Sequence, residues 1–161
     1  MTLQNLLDFC DANFLNQNVT VHVPAGLFQL EDANYHFRRI INDNLPHQIG
    51  VYVWADHLGN VIYVGKAGTL KKGTLKKGGA TYSNHTIPQR NLASRGRDHN
   101  GKDISTAVYV RNIIQKQNWP AIHITAITFD VNDFAPGFVE VNLLHHYLRT
   151  TGTLPLYNKS L

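Results

Sequence analysis

Residues 50–65 read Gly50-Val-Tyr-Val-Trp-Ala-Asp-His-Leu-Gly-Asn-Val-Ile-Tyr-Val-Gly65. Two apolar runs, each with a tyrosine, flank Asp56-His57-Leu58-Gly59, which has the residues of a tight turn. A four-residue loop would pair Ala55 with Asn60 and set Trp54 opposite Val61, Val53 opposite Ile62 and Tyr52 opposite Tyr63. Side chains alternate along a strand, so Val51, Val53, Ile62 and Val64 are expected on one face and both tyrosines on the other. Gly50 and Gly65 border the tyrosines and would leave the surface open there. The arrangement has the look of a site, although cross-strand aromatic pairs also occur in sheets for stability alone.

Working outward, charge is concentrated just after this hairpin. Residues 50–102 hold nine Lys/Arg against two Asp/Glu, residues 1–49 two against five, and residues 103–161 four of each. A basic middle segment suits a polyanionic partner such as nucleic acid. It contains a direct repeat, Gly68-Thr-Leu-Lys-Lys followed by Gly73-Thr-Leu-Lys-Lys, which reads as a mobile basic loop. Its Lys71, Lys72, Lys76 and Lys77 could track phosphates through counterion release. The same repeat could also simply lengthen a surface loop.

A helix is expected from Pro88 to about Asn100-Gly101. Asn91, Arg95 and His99 would then share one face, with Arg90 and Arg97 on another. Apolar spacing predicts further helices over Leu3 to Asn16, Glu31 to Asn44, Ser105 to Gln117 and Pro136 to Thr150. Strands are expected at Val19–Val23 and over residues 121–129. In the last helix Glu140 shares a face with Leu143, Leu144, Tyr147 and Leu148. A carboxylate beside an apolar stripe is costly unless an arginine, a helix end or a divalent metal compensates it. Glutamate occurs only twice in the chain, here and at Glu31.

The chain has 161 residues, 43% of them apolar, which suits one folded α+β domain. The expectation is a small, mainly antiparallel sheet of the hairpin and the 121–129 strand, flanked by helices. Residues 1–49 would form a helical extension packed on a core of residues 50–161. The lone Cys10 excludes an internal disulfide and a thiolate metal cluster, which favours a reducing, cytoplasmic setting. The first residues show no signal-peptide pattern and no apolar run reaches membrane-spanning length, so no membrane partner is expected.

Taken together, these residues resemble the GIY-YIG nuclease family. Gly50-Val-Tyr52 and Tyr63-Val-Gly65 look like its two name-giving strands, with Lys66 following the second. Leu92-Ala-Ser-Arg95-Gly-Arg-Asp-His99 resembles its arginine helix. Glu140, then Leu144, Tyr147, Pro155 and Tyr157-Asn158, resemble its metal-binding glutamate and closing asparagine motif. The likeness spans Gly50 to Asn158, and the lysine-glycine insertion places the layout nearest the restriction-endonuclease branch. That insertion leaves the arginine open: Arg95 first, then Arg97, then Arg90.

The resemblance implies Mg²⁺-dependent hydrolysis of DNA phosphodiesters, most naturally in duplex DNA, by a restriction-like, mobile-element or repair enzyme. One Mg²⁺, replaceable by Mn²⁺, would be held by Glu140 and complete its shell with water and phosphate. Tyr52 would act as base, its phenolate favoured by Lys66 and Arg95; Tyr63 would position water or phosphate, and exchanging the two roles fits equally well. Arg95 would hold the phosphate, His99 would contact it or the leaving group, and Asn158 would order the pocket. Arg90, Arg97 and the loop lysines would bind the DNA backbone. Site-specific double-strand cleavage would call for a homodimer. The alternative is a catalytically silent nucleic-acid-binding protein on the same fold. Other nuclease centres fit poorly, because no Asp/Glu-x-Lys triplet occurs and His145-His146 point in different directions around their helix.

Overall fold

A computed structural model describes residues 1–76, 79–82 and 85–159, with the backbone alone described for residues 70–76 and 79–82. The fold is α+β. Its centre is a four-stranded, wholly antiparallel sheet in the order β1 (Asn16–Pro24), β8 (Ala121–Phe129), β2 (Gly50–Asp56), β3 (Val61–Ala67). Alternation sends successive side chains of these strands to two different cores. On one face Val21, Val23, Tyr52, Trp54, Ile122, Ile124 and Ala126 meet α2 (Ala33–Asn44), α3 (Ile87–Leu92) and α4 (Thr106–Gln117). On the other, Val51, Val53, Val64 and Ile127 meet α1 (Leu3–Asn13) and α5 (Pro136–Thr151). Both faces of β2 are therefore covered, and every one of its residues is buried.

The expected hairpin forms, with a different register. Asp56 closes a three-residue loop: its N–H donates to the Asn60 carbonyl, and its carboxylate accepts from the Leu58 and Asn60 amides, all at 2.9 Å. Gly59 takes the φ of +84° that this loop needs. Ala55 then lies opposite Val61, and Ile62 is inserted as a bulge before Trp54 meets Tyr63. The shorter loop and the bulge each move the pairing by one residue. Tyr52 thus falls opposite Gly65, not Tyr63, while both tyrosines stay on the expected face. The bulge turns Ile62 away from Val51, Val53 and Val64 and into the tyrosine-side core.

The glycines do not open the surface. A Cβ on Gly65 would stand 2.5 Å from Cζ of Tyr52, so the ring lies directly over Gly65. A Cβ on Gly50 would stand 2.5 Å from the Ile127 carbonyl oxygen. Both glycines permit close packing.

The segment after residue 86 departs most from expectation. Thr86 and Gln89 form a reciprocal cap at the start of α3, but the helix ends at Leu92. The chain continues as a hairpin of β6 (Ser94–Arg97) and β7 (Asp103–Ser105). Gly96 has φ +87° and Gly101 φ +77°, values outside a right-handed helix. The Asp98 carboxylate accepts from the Asn100 and Lys102 amides, both at 2.9 Å, which fixes the turn. The expected helical face of Asn91, Arg95 and His99 therefore does not exist.

The lysine repeat also differs from the expected loop. Residues Leu70–Lys76 (β4) and Gly79–Tyr82 (β5) pair antiparallel, a main-chain ladder that requires no apolar side chains. Residues 1–49 contribute more than an extension: β1 pairs with β8 over nine residues, and α1 packs into the α5-side core. No described helix is long and apolar enough to cross a membrane.

Candidate active site

β3 is an edge strand, and a cleft of about 400 Å³ opens along it where the two faces of the sheet meet. Tyr63 and Tyr109 enter from one side, Glu140 and Leu144 of α5 from the other, and Arg95, Tyr157 and Asn158 also line it. Tyr63, Arg95, Glu140 and Asn158, singled out from the sequence, thus share one cavity.

Arg95 is the best-anchored charge. Its Nη2 donates to the Tyr52 hydroxyl at 3.0 Å and to the Arg90 carbonyl at 3.1 Å, and its Nε reaches Thr106 Oγ1 at 3.5 Å. The guanidinium lies 4.7 Å from the Trp54 ring centroid, 5.1 Å from that of Tyr63 and 5.8 Å from that of Tyr52. Each such contact is worth about 0.5–2 kcal/mol according to its exposure to water. Thr106 in turn donates to the Ala93 carbonyl at 2.7 Å, which ties the start of β6 to α4. No described carboxylate comes within 4.0 Å of Arg95.

The tyrosines are not equivalent. Tyr52 is fully buried, sealed under Gly65 and engaged by Arg95. Tyr63 is half-buried and faces the cleft. Burial, then Tyr52, pushes the Tyr63 hydroxyl up to about 12, with Arg95 pulling the other way. At neutral pH it is therefore a protonated phenol and a hydrogen-bond donor.

Glu140 is half-buried, and no described residue hydrogen-bonds it or pairs with it within 4.0 Å. Burial raises its pKa, only partly offset by the charges of Lys66 and Arg90. Lys66 lies over the first turn of α5, its Nζ 3.5 Å from where a Cβ on Gly137 would be. Arg90 stands on α3 and gives its carbonyl to Arg95. Asn158 acts on the backbone: its side-chain amide donates to the Val64 carbonyl and its Oδ1 accepts from the Val64 N–H, both at 2.9 Å. With the Tyr157 N–H donating to the Ile62 carbonyl at 2.9 Å, this segment closes the edge of β3.

Two expected residues stand apart. His99 is exposed in the turn between β6 and β7 and does not line the cleft. Arg97 is exposed and pairs with Asp103 at 3.3 Å. Lys77 lies outside the described residues, as do the side chains of Lys71, Lys72 and Lys76. The sequence assigns no site role to Trp54, Asn91, Thr106 or Tyr109, all of which bear on the site. Trp54 alternates onto the tyrosine face and was open to discovery there; its indole N–H donates to the buried Asn91 Oδ1 at 2.9 Å, fixing the ring beneath Arg95.

One described carboxylate lines the cleft, and the described residues hold no group of three or more His, Cys, Asp or Glu side chains suited to a metal. That donor set fits Mg²⁺, which keeps several waters and takes one or two carboxylates. It does not fit a closed structural zinc centre. No family model, curated protein or solved structure matches this chain.

Proposed function

We propose that this chain is a Mg²⁺-dependent nuclease hydrolysing phosphodiester bonds of duplex DNA, of the GIY-YIG kind that its sequence resembles. One observation carries the reading: a half-buried guanidinium with no described carboxylate within 4.0 Å and a half-buried carboxylate with no described cation within 4.0 Å, only Lys66 and Arg90 acting on it from further off, share one cleft. Each is costly alone, and they do not neutralise each other within 4.0 Å. A phosphodiester against Arg95 and a divalent cation against Glu140 complete an alternating series of charges.

Glu140 would hold the cation, and Mn²⁺ could replace Mg²⁺. When bound, the cation supplies charge neutralisation at the phosphate. Arg95 binds and orients the phosphate through Nη1, its Nε and Nη2 being held by Thr106, Tyr52 and the Arg90 carbonyl beside the Trp54 ring. Of the two hairpin tyrosines Tyr63 is the one that lines the cleft, so direct contact with the nucleophile or phosphate falls to Tyr63 and the positioning of Arg95 to Tyr52. Lys66 and Arg90 raise the local positive potential. The exposed His99 is assigned no role.

Supercoiled plasmid incubated with the purified chain and Mg²⁺ should be nicked or cut, and EDTA should stop it. Glu140→Ala should abolish cleavage with an unchanged circular dichroism spectrum; full activity in that variant defeats the cation assignment. Plasmid retained in gel shifts yet uncut with either Mg²⁺ or Mn²⁺ favours the silent binding protein. The sign of the pH effect follows from Glu140. Its raised pKa means that ionisation costs the cation-free fold stability as pH rises through the carboxylate range, with no cost below it. Glu140→Gln should accordingly raise the cation-free Tm at neutral pH and leave it unchanged in acid.

A further inference from the structure

The β1–β8 ladder places His22 directly opposite His123. Opposed residues of an antiparallel pair leave the same face of the sheet. Their rings lie 5.0 Å apart between centroids, with His22 Nδ1 and His123 Nε2 at 2.9 Å. We propose that these two imidazoles form a binding site for a borderline divalent metal of the zinc class, independent of Glu140 and its cleft. β1 and β3 are opposite edges of the sheet, so the two places are well separated in the fold.

The chemistry of the pair suits this ligand. Imidazole nitrogens bind zinc at about 2.0–2.1 Å, which at a tetrahedral angle sets two of them about 3.3 Å apart. The spacing already present is close to that, and the strand register fixes it before any ion arrives. His22 is exposed, so the pair is open to solvent. Metal-binding imidazoles must be neutral. Without metal, one of the facing nitrogens carries a proton and donates it to the other. On binding, that proton moves to the distal nitrogen of its own ring, and both rings remain neutral. The described residues provide no set of three ligands, so water completes the shell and the ion stays exchangeable. Magnesium, which prefers oxygen donors, would leave the pair alone.

The ion would cross-link the edge strand from residues 16–24 to the central strand β8. A ligand that binds only the folded chain stabilises it by mass action. The full chain, stripped with chelator, should be titrated with ZnCl₂ by calorimetry and by thermal melting. With excess Mg²⁺ present to occupy Glu140, one zinc ion per chain is expected, with a Tm that rises with Zn²⁺ and falls back with EDTA. His22→Ala and His123→Gln should each weaken binding at least tenfold, and Glu140→Ala should bind as the native chain does. Since His22 is exposed, its variant should retain the native spectrum. Absence of saturable uptake overturns the proposal, and so does uptake that persists in both histidine variants or disappears in Glu140→Ala.

Discussion

Two hairpins meet at the cleft, and they are held by opposite means. In β2–β3 both faces are covered by helices, β2 is buried throughout, and Asp56 locks the turn. The β6–β7 hairpin is short and mostly exposed, held by the Asp98 turn and by the tie from Thr106 to Ala93. Yet the guanidinium of the cleft comes from the second. Arg95 is held in place by the first hairpin, on the rings of Trp54, Tyr52 and Tyr63. Arg97, two residues on, has no such surface; it pairs with Asp103 while the two side chains remain 73% and 66% exposed. A strand without its own core can place a charge accurately when a neighbouring core provides the platform.

Breaking the platform should have the largest effect. Trp54→Ala empties a fully buried site and leaves Asn91 without its donor, and should cost about 3–5 kcal/mol in urea unfolding. If it costs under about 1 kcal/mol, the two hairpins are not as different as drawn. Arg95→Ala should keep the native circular dichroism spectrum but lose about 1–3 kcal/mol with the Tyr52 hydroxyl left unpaired, and should lower plasmid cleavage by about 10²–10³, the loss on removing one preorganised donor. Cleavage within twofold of the native chain would move the anchored role elsewhere. Asn158→Ala removes two hydrogen bonds from β3 and should cost about 1–3 kcal/mol by chemical denaturation. Arg97→Ala should be nearly silent, below about 1 kcal/mol in stability, because an exposed ion pair is worth little. A large loss of cleavage in that variant would exchange the assignments of Arg95 and Arg97.

The same contrast explains what the sequence could reveal. In residues 50–65 the apolar alternation sets the faces, and all but those of Val61 and Ile62 hold because the shorter loop and the Ile62 bulge together shift the register by two residues. Tyr63 beside Trp54, in place of Tyr52, needs the bulge, which no residue type announces. Glu140 was legible because the helix from Pro136 has a clear apolar stripe against which a carboxylate stands out. Residues 93–100 have no such stripe, so the start signal at Pro88 and the stop at Asn100-Gly101 imply one helix where Gly96 and the Asp98–Gly101 turn make a hairpin. The Trp54–Asn91 bond joins residues 37 apart, and the pairing of β1 with β8 spans about a hundred. Contacts at that range leave no local pattern.

The closing segment at Tyr157-Asn158 has a consequence for how the molecule behaves in company. A bare strand margin recruits any passing chain with a complementary run of amides and carbonyls. Here the Ile62 carbonyl is already taken by the Tyr157 N–H, and both backbone groups of Val64 by the Asn158 side chain, which imitates a peptide unit. Loss of that imitation would expose the most apolar part of the chain to intermolecular ladder growth, so turbidity on storage, before any change in fold, is the first symptom to expect.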